Sequence, residues 1–378
     1  MRCSEGGFCN AGGQACNGGT RDCGVWIGNV NIIECDVACV GDVETISHDI
    51  TQRGHIVGLP ISVTRENNLY YSKKIFTENN LTPPKTWADF ITIADALKAK
   101  GIQPLSVAES DKDAWTAAIL FESVMVADAT PNYFADFYAG KKTANDAPYR
   151  RALEKFVQIL GYGGANASTL SYTDSIAEVA SGKVAMVVMG SWATADLKKA
   201  GFKPDVDYGL ALAPGTEDIF ILAGPGYLVS RGAKNRTNAM AFVKMLGSKE
   251  GIEAVARATQ NIATRTDVSF DAIGYDAQSR TMATQFKTAR ILKNMPCSDT
   301  GGVSQGFGRV HRHAREESNR TGCRRCGDPG HRQRLRPLET IVASGEERRA
   351  AGSSLRYQRW SDGAAAIDRG GATVGLDR

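Results

Sequence analysis

The side chains able to do chemistry are unevenly placed in this 378-residue chain. Its five histidines stand at 48, 55, 311, 313 and 331, and its nine cysteines at 3, 9, 16, 23, 35, 39, 297, 323 and 326. Between residues 56 and 296 there is thus no Ser–His or Cys–His pair from which an activated nucleophile could be built. The same stretch has no phosphate-cradling P-loop and no glycine-rich dinucleotide fingerprint. One motif has metal-like spacing. "CRRCGDPGH", Cys323 to His331, reads C-x2-C-x4-H, the pattern of a zinc knuckle, among arginines that would suit single-stranded nucleic acid. Its fourth ligand would fall at Arg336, and three ligands make a poor structural zinc site. These absences point away from an enzyme, and no metal or other cofactor is expected.

The side chain that stands out is an aromatic one. In "SGKVAMVVMGSWATADLKKAG", residues 181 to 201, a Ser-Gly-Lys turn leads into six apolar residues, Val184 to Met189. Gly190-Ser191-Trp192 then opens an amphipathic segment that stops at Gly201. Six apolar residues without alternation predict a strand covered on both faces, as in a parallel or mixed sheet between helices. Trp192 is thereby delivered to the carboxyl edge of the sheet, where open α/β sheets bind their ligands. Ligand contact is the favoured reading of Trp192, and packing within the core is the alternative.

The elements that must hold this tryptophan carry their own signals. "GHIVGLPISV" has an apolar strand pattern, and "NNLYYSKKIF" continues it into a helix start. In "LTPPKTWADFITIADALKAKG" two prolines precede Thr86 as N-cap, Asp89 follows three residues on, Phe90, Ile93, Ala94 and Leu97 share a face, and Gly101 ends the helix. "IQPLSVA" reads as a strand, Thr173-Asp174 caps "SIAEVASG", and "RTNAMAFVKMLGSKEGIEAVARATQ" gives two helices broken at Gly247. Helices alternating with strands at this spacing predict an α/β protein.

Several of these stretches occur in an order that resembles the family 1 extracellular solute-binding proteins, the sugar receptors of ABC importers. They are the run from "GHIVGLPISV" through "TPPKTWADF", then "WTAAILFESV", "SGKVAMVVMGSWA", "GLALAPGT", "GAKNRTNAMAFVKML" and "TRTDVSFD". Within that family the similarity is to glucose- or mannose-type receptors, which carry comparable "LFES" and "MGDWA" stretches. The resemblance implies a periplasmic-binding-protein-like fold of two α/β lobes, with sugar held between them and closure by hinge bending. It also implies roles for residues. Trp192 matches the tryptophan of "MGDWA" and would stack on the apolar face of a sugar, while Ser191 stands where that stretch has an acidic residue. Trp115, with Asp113 before it, sits where the family places a cleft loop. Thr64-Arg65 replaces a histidine–arginine pair, and Tyr227 lies in a Gly-Pro-rich loop where Pro225 takes the place of an acidic residue. The candidate ligand-binding set is therefore Trp192, Trp115, Arg65, Thr64, Ser191, Tyr227 and Asp113. The altered polar positions keep the receptor class and put glucose in question; a mono- or disaccharide is expected.

Composition divides the chain further. All 18 lysines fall between Lys73 and Lys293, whereas residues 297–378 hold 15 arginines and no lysine. Three segments follow: a Cys/Gly-rich head over 1–45, a solute-binding body over 46–296, and an Arg-rich tail over 297–378, with head and tail expected to be disordered. Within the body the second lobe is expected over 65–217 and a return to the first over 218–246. The head could be a disulfide framework, but it shows no secretory signal. Both ends also have the composition of a GC-rich gene translated out of frame. Fewer residues precede the "GLP" strand than the family has there, so the amino-terminal lobe is expected to be incomplete and the chain to be a receptor or a non-functional remnant of one. The resemblance implies a sugar ligand, the membrane permease subunits of an ABC importer as partners, a monomer, and a periplasmic or extracellular, lipid- or membrane-associated location. No nucleic acid is expected as partner. The competing class is a nucleic-acid-binding protein acting through the arginine-rich tail.

Overall fold

The computed structural model describes residues 51–294, apart from positions 53, 54, 57, 111, 140 and 231. The readings made above for 1–50 and 295–378, among them the cysteine head, the zinc-knuckle spacing and the arginine-rich tail, lie outside the described residues.

In chain order the elements begin with β1 (Thr51–Gln52), β2 (His55–Ile56), β3 (Leu59–Pro60), β4 (Thr64–Arg65), β5 (Asn68–Ser72), α1 (Lys73–Glu78), α2 (Trp87–Ala99) and β6 (Gln103–Leu105). Then come α3 (Trp115–Ala129), α4 (Pro131–Tyr138), α5 (Ala147–Leu160), α6 (Tyr172–Ala180), β7 (Val184–Met189), α7 (Ala193–Lys199) and β8 (Tyr208–Leu212). The remainder is β9 (Ile219–Ala223), β10 (Gly226–Tyr227), α8 (Arg236–Gly247), α9 (Lys249–Thr259), α10 (Phe270–Ile273), α11 (Ala277–Phe286) and β11 (Arg290–Lys293). This is the α/β class expected from the sequence.

Local chemistry sets the best-marked elements. At the start of α2 the Thr86 hydroxyl accepts from the Asp89 N–H at 3.1 Å and the Asp89 carboxylate accepts from the Thr86 N–H at 2.9 Å, a reciprocal capping box. Phe90 and Leu97 are buried on one stripe of this helix, each contributing roughly 1.5–3 kcal/mol by leaving water. Gly101 leaves the helix at φ +75°, a conformation that side chains resist. Two readings need correction. The helix read as capped by Thr173-Asp174 starts at Tyr172, because the Ser171 hydroxyl accepts from the Asp174 N–H at 3.1 Å and so takes the capping position. The apolar run 54–63 is not one strand: Pro60 has no N–H to give a ladder, and the run is shared between β2, β3 and a bridge from Val63 to Ile262.

The main sheet has the order β6-β7-β5-β8, with β6 parallel to β7 and β5 antiparallel to both β7 and β8. Every residue of β7 is buried, as its unbroken apolar run predicts. Met186 and Val188 join the cluster that holds Phe90, Phe121 and Phe156 from α2, α3 and α5, whereas Val187 and Met189 join Ile176 and Leu197 from α6 and α7. Helices thus cover both faces.

A second sheet has the order β11-β9-β4, parallel between β11 and β9 and antiparallel between β4 and β9. Its core gathers Val63, Phe220, Leu222, Ile262 and Tyr275, and the β3–β10 pair packs on α8 through Leu59, Leu228 and Val243. The chain passes between the two sheets twice, from β4 to β5 and from β8 to β9. Asn67 ties the two passages together. Its amide nitrogen donates to the Thr216 hydroxyl and the Ile219 carbonyl, both at 3.0 Å, and its amide oxygen accepts from the Ile221 N–H at 2.9 Å. The side chain is fully buried, where an unpaired amide would be costly.

Candidate functional site

Three helix starts converge at the carboxyl edge of the parallel pair β6–β7. Trp115 is the first residue of α3, reached through the loop after β6, and Trp192 is the N-cap residue of α7, three residues after β7. Tyr172 is the first residue of α6, which leads back into β7. Their rings form one aromatic cluster. Trp115 lies with its ring centroid 5.8 Å from that of Trp192 and 5.4 Å from that of Tyr172, tilted 53° in both cases, within the range of favourable aromatic pairs. All three residues are half-buried, so each ring packs on part of its surface and keeps part open.

Backbone placement aims Trp192. Its indole lies over Gly190, where a Cβ would occupy the space of the ring, so only glycine lets the aromatic fold back across the strand end. Carboxylates surround the cluster. The Tyr172 hydroxyl donates to Asp196 at 3.0 Å. Burial first, then the negative charge of Asp196, pushes that hydroxyl up to about 12, and Asp113 adds to the effect from the loop before α3. Asp113 is held in place by the Ser110 hydroxyl, which donates to it at 3.2 Å. Flat apolar ring surface with carboxylate acceptors beside it can stack on a C–H face and accept from hydroxyls. Among the described residues no group of three or more His, Cys, Asp or Glu side chains could hold a metal ion.

Of the seven residues singled out from the sequence, Trp192, Trp115 and Asp113 stand in or beside this cluster. Ser191 and Arg65 meet each other instead. The Ser191 N–H donates to the Arg65 carbonyl at 2.8 Å, the Ser191 hydroxyl accepts from the Arg65 N–H at 3.2 Å and donates to Asn261 at 2.8 Å, and the residue is buried. The Arg65 guanidinium is buried over the Phe220 ring, 4.5 Å from its centroid, and donates to Gln285 at 2.7 Å. Burial lowers it to about 10. Thr64 is buried in β4 and donates to the Ala223 carbonyl at 2.7 Å. Tyr227 packs edge-on against Phe242 at 6.1 Å, in the cluster of α8. Sequence reasoning missed Tyr172, Asp196 and the role of Gly190. The signals available were Ser171 three residues before Asp174, and a glycine two residues before a tryptophan.

The chain is similar to known proteins over much of its length. Residues 33–279 match the family model described as bacterial extracellular solute-binding protein. The chain is 29% identical over 231 residues to the uncharacterized ABC transporter extracellular-binding protein PH1214 of Pyrococcus horikoshii, covering 60% of this chain and 51% of that one. It is 26% identical to a probable sugar-binding periplasmic protein of Mesorhizobium japonicum, covering 58% of this chain and 54% of the relative. The chain thus spans about half the length of the curated relatives it matches. Among solved structures, the bacterial solute receptor AcbH, described as preferring β-D-galactopyranose, superposes with a TM-score of 0.66 at 15% identity, covering 82% of this chain and 75% of that one. At that identity the likeness concerns the fold, the two-lobed α/β architecture of substrate-binding proteins, which is the architecture that the motif order implied. With the family model matching well over half of its residues, the chain belongs to the bacterial extracellular solute-binding proteins.

Proposed function

We propose that the protein is a sugar receptor of an ABC importer and that the Trp115–Trp192–Tyr172 cluster is its platform for a mono- or disaccharide. The observation that carries the reading is the convergence of three aromatic rings and two flanking carboxylates, Asp113 and Asp196, at the carboxyl edge of the parallel strands. A pyranose offers such a site a flat C–H face and a rim of hydroxyl donors. Relatives named as sugar-binding periplasmic proteins support the same class, and with it a periplasmic or extracellular location and membrane permease partners. Among the described residues no helix is long and apolar enough to cross a membrane. Binding is by closure around the sugar, without catalysis, by a monomer. The domain division that accompanies this reading has the second lobe over 65–217 and the return to the first over 218–246.

Titration with neutral mono- and disaccharides, followed by intrinsic tryptophan fluorescence, tests the reading. The Trp192→Ala variant should bind about 1–3 kcal/mol more weakly, the scale of one lost aromatic stacking contact. An unchanged dissociation constant would make Trp192 a packing residue and remove the platform.

A further inference from the structure

A groove of about 560 Å³ lies between helices α7 and α9 and adjoins the aromatic cluster. The two share Asp196, which lines the groove and accepts from the Tyr172 hydroxyl at 3.0 Å. The geometry of α7 makes them continuous. Trp192, Asp196 and Lys199 stand at i, i+4 and i+7, so they follow one stripe of the helix from the indole to its last residue. At 1.5 Å per residue, Trp192 and Lys199 are about 10 Å apart along the axis, the span of two linked pyranose rings. The volume agrees. At about 30 Å³ per liquid water the groove has room for roughly nineteen waters, more than one sugar ring displaces.

The charge of the lining is one-sided. It holds the cations Lys198, Lys199 and Arg257 and the carboxylate of Asp196. Lys198 is already paired with Asp276 of α11 at 2.5 Å, and Asp196 is engaged by Tyr172. Lys199 is exposed at the end of α7 and has no hydrogen bond or ion pair among the described residues. Arg257 is exposed as well, but fixed in place. Its Nη2 donates to the Ala272 carbonyl at 2.8 Å and its Nε to the Ile273 carbonyl at 3.4 Å, which leaves Nη1 without a partner among the described residues. Cations in the last turn of a helix commonly serve the end carbonyls of that helix. Here Arg257 of α9 serves α10 instead, and Lys199 serves none. Glu253, one turn before Arg257 on α9, is not part of the lining.

The two cations also stand on opposite walls. Leu197 of α7 packs in a core of the main sheet, and Ala256 of α9 in that of the second sheet. An anion between Lys199 and Arg257 would thus be held from both halves of the fold, and a carboxylate matches the planar guanidinium.

We propose that the α7–α9 groove is an anion subsite continuous with the aromatic platform, and that the ligand is an acidic disaccharide. One ring would lie on Trp115 and Trp192, and the second would place a carboxylate between Lys199 and Arg257. This rests on the sugar-receptor reading given above.

Isothermal titration of the full chain with two matched pairs tests it. The pairs are cellobiose and maltose, each against its counterpart with the hydroxymethyl group of the non-reducing ring oxidised to a carboxylate. In each pair the neutral sugar reports the platform and the acid adds the subsite. The acid should bind about tenfold more tightly than its neutral partner at low salt, the scale of one charge-assisted hydrogen bond, and the preference should shrink at high salt. Lys199→Gln should cut the preference about threefold, and Lys199→Gln combined with Arg257→Gln should abolish it. Because the preference is a ratio measured on one variant, a general loss of affinity cancels. Equal affinity within the pairs would overturn the subsite and leave the sugar-receptor reading in place. So would a preference that survives the double substitution, or binding of neutral monosaccharides without any of the four disaccharides. Failure of every sugar, neutral or acidic, would overturn both.

Discussion

The contact between Gly190 and Trp192 makes the orientation of the platform depend on the absence of one methyl group. In Gly190→Ala the new Cβ would occupy the space of the indole, so the ring must swing away from Trp115. The expected outcome is a folded protein about 1–3 kcal/mol less stable in urea, the cost of overpacking at a tight contact. Its tryptophan fluorescence should no longer respond to sugar, although both tryptophans remain. Much of this site could be read from the chain itself: an apolar strand, a turn and a tryptophan at its end specify the position of Trp192. Tyr172 could not be read in the same way, because its ring meets Trp115 across some 57 residues of sequence, a distance that no local pattern reports. Thr64 and Arg65 entered the candidate set through their match to a histidine–arginine pair of the resembling family, a match that fixes no side-chain direction. Thr64 is instead turned inward by pairing of β4 with β9, a partner more than 150 residues away.

Helix α11 is held at its start by one carboxylate with two duties. Asp276 caps the helix by accepting from the Ser279 N–H at 2.7 Å, and it pairs with Lys198 of α7 at 2.5 Å. Burial alone would raise this carboxyl, yet the lysine and the Ser279 bonds outweigh it and hold the group below the ordinary aspartate value. Because the folded value is the depressed one, the contribution to stability is complete above the unfolded value of about 3.9 and disappears as pH falls through the folded value. Asp276→Asn keeps a capping side chain and loses the charge. It should cost about 1 kcal/mol at neutral pH and should flatten the acid limb of stability, followed by urea melts between neutral and acidic pH. Elements with complete local signals, such as α2 with Thr86 and Asp89, could be bounded from sequence. The start of α6 lies two residues earlier than the Thr173 cap implies: Ser171 and Thr173 are both competent caps, and Asp174, three residues after Ser171, completes the capping pair for Ser171.

At the scale of the whole molecule, any movement of one sheet relative to the other must turn about the two passages that Asn67 joins. Asn67→Ala would leave the Ile221 N–H without its buried acceptor and remove two donated bonds. A loss on the order of 3 kcal/mol is expected in equilibrium unfolding, with weaker sugar binding as the hinge loosens. The same joint determines what happens when the chain is cut. Glu217 and Asp218 are exposed in the passage from β8 to β9, whereas the residues on either side of them are buried. Glutamyl endoproteinase should therefore nick the protein at Glu217. The amino-terminal fragment would still hold β4, which is paired with β9 of the other fragment, and Asn67, which is bonded to Ile219 and Ile221 beyond the nick. The nicked protein should elute as a single species in gel filtration and separate into two pieces only in denaturant. The passage is thus a natural split point, at which two separately expressed fragments should reassemble into the binding protein.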